Sequence, residues 1–98
     1  MNIIFEVNDK TKRKLRMTDY NWHHIVKRHP EVVSQKEKII ETLEKPDKIT
    51  TSLEDEETKY YYKYYKNISS PYKFMRVIAK YLNGEGFIIS SHFVKAIQ

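Results

Sequence analysis

The chain predicts an α+β fold: an N-terminal strand hairpin and two short helices packed on an antiparallel β-meander of four or more strands. Strand-like segments come first, then helix-like ones, then strands again, and blocks rather than alternation argue a segregated layout. Apolar residues recur at helical spacing in the middle of the chain, whereas the C-terminal half alternates with a period of two. A length of 98 residues holds one core and one domain, residues 1–98, with no internal repeat or linker. An open surface cleft suits so small a core better than a large internal cavity.

Ile3 to Val7 reads as a strand, Asn8-Asp9-Lys10-Thr11 as a turn, and Arg13 to Met17 as the returning strand. Thr18 or Asp19 is placed to cap a helix over Tyr20 to Arg28, in which Trp22, Ile25 and Val26 make an apolar stripe. Pro30 disfavours helical geometry at His29 and stops that helix. Ser34-Gln35-Lys36-Glu37 matches a capping box, so a second helix should run to about Glu44, burying Ile39, Ile40 and Leu43, with Pro46 closing it. Strands follow over Lys48 to Leu53, Lys59 to Lys66, Tyr72 to Leu82 and Gly86 to Ile97. Consecutive strands pair most simply with their neighbours.

Lysine and arginine number 18 against 13 acidic residues, a net charge of +5, which favours a polyanionic partner such as RNA. Lysine-rich compositions also arise without any such partner. The absence of cysteine excludes disulfides, thiolate metal sites and a cysteine nucleophile, and fits a reducing cytoplasm. No apolar run is long enough to span a membrane, and Ile3-Ile4-Phe5 is too short for a signal peptide, so a cytoplasmic protein without a membrane partner is expected. No Gly-rich phosphate loop, G-x-S-x-G or H-E-x-x-H is present, and no cofactor is expected.

Period-two counting places Met75, Val77, Ala79 and Tyr81 on one face of their strand and Phe74, Arg76, Ile78 and Lys80 on the other. In the last strand Phe87, Ile89, Ser91 and Phe93 share a face, and Ile88, Ser90, His92 and Val94 the opposite one. For both apolar faces to meet the helices, a three-residue loop over Asn83 to Glu85 is expected, with Leu82 opposite Gly86. That register sets Arg76 opposite His92 and Ile78 opposite Ser90. An ordinary solvated sheet face accounts for the same pattern. The strand from Lys59 to Lys66 is the second feature. Lys59, Tyr61, Lys63 and Tyr65 on one face, with Lys80 nearby, have the composition of an RNA-binding surface, in which rings stack on bases and ammonium groups meet phosphates. Tyrosine also simply favours strands.

Three of the four histidines lie in the segment from Trp22 to Glu31. With the apolar stripe facing inward, His24 and Arg28 share one flank, and His29 sits just past the helix end. RNA cleavage by its own 2′-hydroxyl needs a base, an acid and cations around phosphorus. His24, Arg28, His29, Arg76 and His92 supply all of these without a metal. A metal site drawing on Asp19, Glu31 and His92 is the competing arrangement, although His24 and His29 do not have a standard ligand spacing. Exposed or helix-capping histidines with no chemistry are the plain alternative.

Trp22-His23-His24-Ile25, then Arg28-His29-Pro30-Glu31, then Pro46-Asp47-Lys48-Ile49 resemble the phage-associated branch of the barnase–EndoU–colicin–RelE-like (BECR-fold) nucleases. The resemblance runs from about Thr18 to the C-terminus. It implies helices followed by a four-stranded antiparallel sheet and metal-independent RNA cleavage, often as a toxin. The family's catalytic positions carry over to His24, His29 and Ser90, with Arg76 where a strand cation assists phosphate. Ser90 and His92 stand where threonine and tyrosine are more usual, a departure that leaves room for an inactive descendant.

The leading expectation is therefore a small ribonuclease in which His24 and His92 divide the acid and base roles, Arg28 and Arg76 stabilise charge, and Ser90 bonds a phosphate oxygen. Its natural partners are RNA and a neutralising acidic antitoxin. The alternatives are a non-catalytic RNA- or protein-binding module and a phage or mobile-element regulator on the same fold.

Overall fold

The computed structural model describes residues 2–98. The elements are β1 (Ile3–Asn8), β2 (Lys14–Thr18), α1 (Asp19–Arg28), a 3-10 turn (Pro30–Val32), α2 (Lys36–Glu44), β3 (Lys48–Thr51), β4 (Thr58–Tyr64), β5 (Phe74–Leu82) and β6 (Glu85–Val94). The fold is α+β, with one six-stranded sheet in the order β1-β2-β6-β5-β4-β3. The meander β3 to β6 is antiparallel throughout, as expected. The N-terminal hairpin does not pack on this sheet but extends it, because β2 joins β6 in parallel and makes the sheet mixed. Gly86 permits this seam: a Cβ there would lie 2.4 Å from Leu15 Cδ2 and 2.9 Å from the Lys14 carbonyl oxygen.

Thr18 caps α1, its Oγ1 accepting from the Asn21 backbone N–H at 3.0 Å. Such a cap contributes about 1 kcal/mol. The expected Ser34 capping box is absent. The Gln35 N–H bonds back to the Val32 carbonyl, so the turn after Pro30 runs on and Gln35 takes the cap position without a side-chain bond. α2 buries Ile39 and Leu43 as expected, with Ile40 half-buried, and it also buries Thr42, whose hydroxyl donates to the Lys38 carbonyl at 2.7 Å.

The β5–β6 hairpin departs from expectation in a way that preserves its consequence. The loop has two residues, Asn83 and Gly84, both at positive φ (53° and 80°), and Leu82 faces Glu85. Paired positive φ values match the twist of a tight hairpin. A bulge then intervenes: Ala79 pairs with Ile88 and Ile78 with Ser90, which leaves Ile89 unpaired. Before the bulge Gly86 and Ile88 are buried, and beyond it Ser91 is. Phe87 and Ile89 therefore leave the core face predicted for them, while Arg76 still lies opposite His92.

Leu15, Met17, Ile25, Val32, Ile39, Leu43, Tyr61, Met75, Val77, Ala79 and Ile88 form the core between the helices and one sheet face. Tyr61 corrects the expected RNA-stacking face of β4. It lies opposite Val77 and is fully buried, its hydroxyl donating to Asp9 beside the Tyr81 hydroxyl. Directly opposed residues share a face, so the parity of Tyr61 points toward the helices and that of Tyr60 away from them. No helix among the described residues is long and apolar enough to cross a membrane.

Candidate active site

β2 pairs with only Gly86 and Phe87 of β6, and α1 takes over the strand edge beyond them. Asn21 Nδ2 donates to the Ile88 carbonyl at 3.0 Å and pins the helix there. Ile25 turns into the core, and the C-terminal end of α1 comes up beside the residues that follow the bulge. A cavity of about 250 Å³ results, with His24, Arg28 and His29 on the helix side and Ile89 and Ser90 on the strand side. Bulges re-aim side chains, and this one falls at Ile89, so Ile89 and Ser90 form the strand-side lining of the cavity that the histidines share.

Behind that cavity the His29 ring stacks on the His92 ring, with centroids 4.4 Å apart and planes within 11°. Arg76 Nη2 lies 2.9 Å from His92 Nε2. A guanidinium only donates, so Nε2 accepts and the neutral ring carries its proton on Nδ1. Burial, then the charge of Arg76, then His29 push the His92 pKa down to about 4. At neutral pH His92 is an uncharged ring whose acceptor nitrogen is occupied. His92 Nδ1 and Arg76 Nε are both buried without a hydrogen-bond partner. His29 has the Glu31 carboxylate 3.8 Å from its Nδ1, an ion pair whenever the ring is protonated. The His24 ring packs edge-on against Tyr20 at 4.6 Å.

The structure thus brings together the six residues expected to carry chemistry, in two ranks. His24, Arg28, His29 and Ser90 line the cavity, while His92 and Arg76 stand behind His29. The residues expected to bind RNA are not brought in. Lys59 Nζ donates to Thr51 Oγ1 at 3.0 Å, Lys63 Nζ to the Lys45 carbonyl at 3.1 Å, and the Tyr65 hydroxyl to Glu41 at 2.6 Å. Lys80 pairs with Asp55 at 3.0 Å. The tyrosines that share the face of Arg76 are Tyr60, Tyr62 and Tyr64, and Arg76 lies 5.7 Å from the Tyr60 ring centroid. Among the described residues no three His, Asp or Glu side chains are arranged to hold a metal ion.

Sequence reasoning missed Asn21, which anchors the helix to the strand, and Gln98, whose Oε1 accepts from Arg76 Nη1 at 2.9 Å. Neither has a sequence signal, since both act through contacts between distant segments. Comparison with protein-family models, with curated proteins and with solved structures finds no match to this chain.

Proposed function

We propose that this chain is a metal-independent endoribonuclease of the toxin-like kind its motifs resemble, working by histidine acid–base chemistry. The distribution of arginines supports this reading best. Arg13 is paired with Asp9, and Arg16 with Glu6 and Glu85. Among the described residues, Arg28 and Arg76 have no carboxylate partner, and these two stand at the histidines. Guanidinium groups not neutralised by a carboxylate, beside acid–base groups, suit a transferring phosphoryl group.

In the reaction, the ribose 2′-hydroxyl gives its proton to one histidine and its oxygen bonds to phosphorus. The bond from phosphorus to the 5′-oxygen breaks as a second histidine protonates that oxygen. The products are a 2′,3′-cyclic phosphate and a 5′-hydroxyl. His24 and His29 fill these two roles across the cavity, in place of the His24–His92 pair expected from sequence. His92 is a positioning residue that backs His29, because its own acceptor nitrogen is taken. Arg28 faces the charge on the phosphoryl oxygens and Ser90 bonds one of them. An acidic partner covering this basic face would silence the enzyme.

Incubation of a structured RNA with the purified protein in EDTA tests the proposal. Cleavage to cyclic-phosphate ends is expected, with losses of about 10²- to 10⁴-fold in His24→Ala and in His29→Ala. Cleavage unaffected by either substitution would remove the assignment. Salt-sensitive RNA binding without any cleavage would leave an RNA-binding module instead.

A further inference from the structure

Arg76 belongs to two sites at once. Its guanidinium reaches His92 on one side and lines a separate cavity of about 500 Å³ on the other. Thr50, Glu54, Tyr60, Tyr62 and Gln98 are among the residues that line that cavity with Arg76, Glu54 being the one carboxylate side chain. Strand register explains the grouping: Thr50 lies opposite Tyr60, and Tyr62 opposite Arg76, all on the face turned away from the helices. Two polar atoms of this lining, Arg76 Nε and Thr50 Oγ1, are buried with no partner. Buried polar groups without partners are uncommon in folded proteins and ask for an occupant.

One bond of the Arg76 guanidinium is held by the chain itself. After β6 ends, Lys95–Gln98 fold back across the sheet outside any helix or strand, and all four residues are exposed. Tyr62, on the face away from the helices, is nevertheless fully buried. Few contacts hold the segment. Gln98 Oε1 accepts from Arg76 Nη1 at 2.9 Å, the Tyr62 hydroxyl reaches the Gln98 carbonyl at 3.5 Å, and Lys95 Nζ lies 5.3 Å from the Tyr72 ring centroid. A carboxamide oxygen is a neutral occupant on a group whose strongest bonds are to anions, above all bidentate ones to phosphate. With Nη2 on His92 and Nη1 on Gln98, both Nη groups of the guanidinium already hold a bond.

We propose that the Arg76 cavity is a phosphate subsite in which Gln98 occupies Arg76 Nη1 in the free protein, so that a phosphate group must displace the Gln98 carboxamide to bond there. The purpose of the subsite rests on the ribonuclease reading, in which it would hold a phosphate neighbouring the scissile one; binding itself does not. Apparent affinity for such a site falls in proportion to its open fraction.

Inorganic phosphate titrated into the protein, followed by NMR shifts of the Arg76 Nε–H and the Tyr62 and Gln98 amides, reads this directly. Gln98→Ala should bind about three- to tenfold tighter than wild type, the yield of removing one competing hydrogen bond. Thr50→Val, a near-isosteric change that keeps the fold, should weaken binding, and Arg76→Gln should abolish it. Equal affinity in wild type and Gln98→Ala, or shifts confined to His24, Arg28 and His29, would overturn the proposal. Phosphate binding at Arg76 by a protein that cleaves no RNA would sustain the subsite and sink the ribonuclease reading. Cleavage of RNA with no phosphate response at Arg76 would do the reverse.

Discussion

Two buried polar clusters lie on the same sheet and are built in opposite ways. Around Asp9 every acceptor is used. Its Oδ1 accepts from the Thr11 N–H at 2.8 Å, the Thr11 hydroxyl at 2.6 Å and the Arg13 N–H at 3.0 Å, and its Oδ2 accepts from Tyr61 at 3.0 Å and from Tyr81. The Arg13 guanidinium covers the Tyr81 ring at 3.6 Å. Around His92 the rings and guanidinium meet closely, yet His92 Nδ1 and Arg76 Nε are left without partners. A closed network rigidifies a fold, whereas an open one carries a standing cost that a ligand can relieve. The Asp9 cluster is scaffold, tying the β1–β2 turn to β4 and β5. The His92 cluster has the character of a site.

Substitution tests that contrast most sharply. Asp9→Ala leaves the Tyr61 and Tyr81 hydroxyls only each other and takes the acceptor from the Thr11 and Arg13 N–H groups, and a loss of about 3 to 4 kcal/mol is expected, read as a lower urea midpoint at unchanged slope. His92→Phe keeps the ring against His29, gives up one hydrogen bond and sheds an unpartnered N–H, so its cost should stay within about 1 kcal/mol. Equal losses in the two variants would erase the distinction.

The same contrast governs what was legible in the sequence. α1 was legible because Thr18, the apolar stripe and Pro30 are all local signals. The Arg76–His92 pairing was legible too, although the route was wrong: one residue fewer in the turn is compensated by one more in the strand, and the register beyond Ile89 is the same. The face of β4 was not legible. Lysine and tyrosine occur at both parities from Lys59 to Lys66, and only pairing with Val77 decides that Tyr61 goes inward. The parallel β2–β6 seam and the fold-back of Gln98 join segments far apart in the chain, and no period announces either.

Acid should loosen the two clusters in separate windows. The His92 pKa is depressed from 6.5 to about 4, so between those values the unfolded chain binds a proton that the folded one does not. Stability therefore falls as pH drops from 6.5 toward 4, with a slope of at most about 1.4 kcal/mol per pH unit, less because the ring is only partly buried. For Asp9, burial alone would raise the pKa, but hydrogen bonds from Thr11, Tyr81, the Arg13 backbone and Tyr61 together outweigh it and hold the carboxyl below 3.8. Its contribution is intact above 3.8 and lost as pH falls through the lowered value. Urea midpoints followed downward from pH 7 should show the His92 step between 6.5 and 4 and the onset of the Asp9 step below 3.8. His92→Phe should remove the upper one, and a profile unchanged by that substitution would detach the first window from His92.

The smallest effect on stability is expected where the effect on the site is large. Ile89 is the unpaired residue of the bulge and is 42% exposed. Its deletion would let Ala79–Ile88 and Ile78–Ser90 follow one another in a regular ladder, with the inward and outward alternation of β6 unbroken. Little burial is lost, and a stability change within about 1 kcal/mol follows. The deletion also removes one wall of the His24 cavity and the extra twist that aims Ser90. On the ribonuclease proposal, displacement of a catalytic group by about 1 Å costs on the order of a hundredfold in rate, so RNA cleavage should fall by about that factor while the unfolding midpoint holds. Unfolding on deletion would make the bulge a requirement of the sheet. Full activity with full stability would mean that Ser90 needs no aiming, and its place beside the histidines would then carry no chemistry.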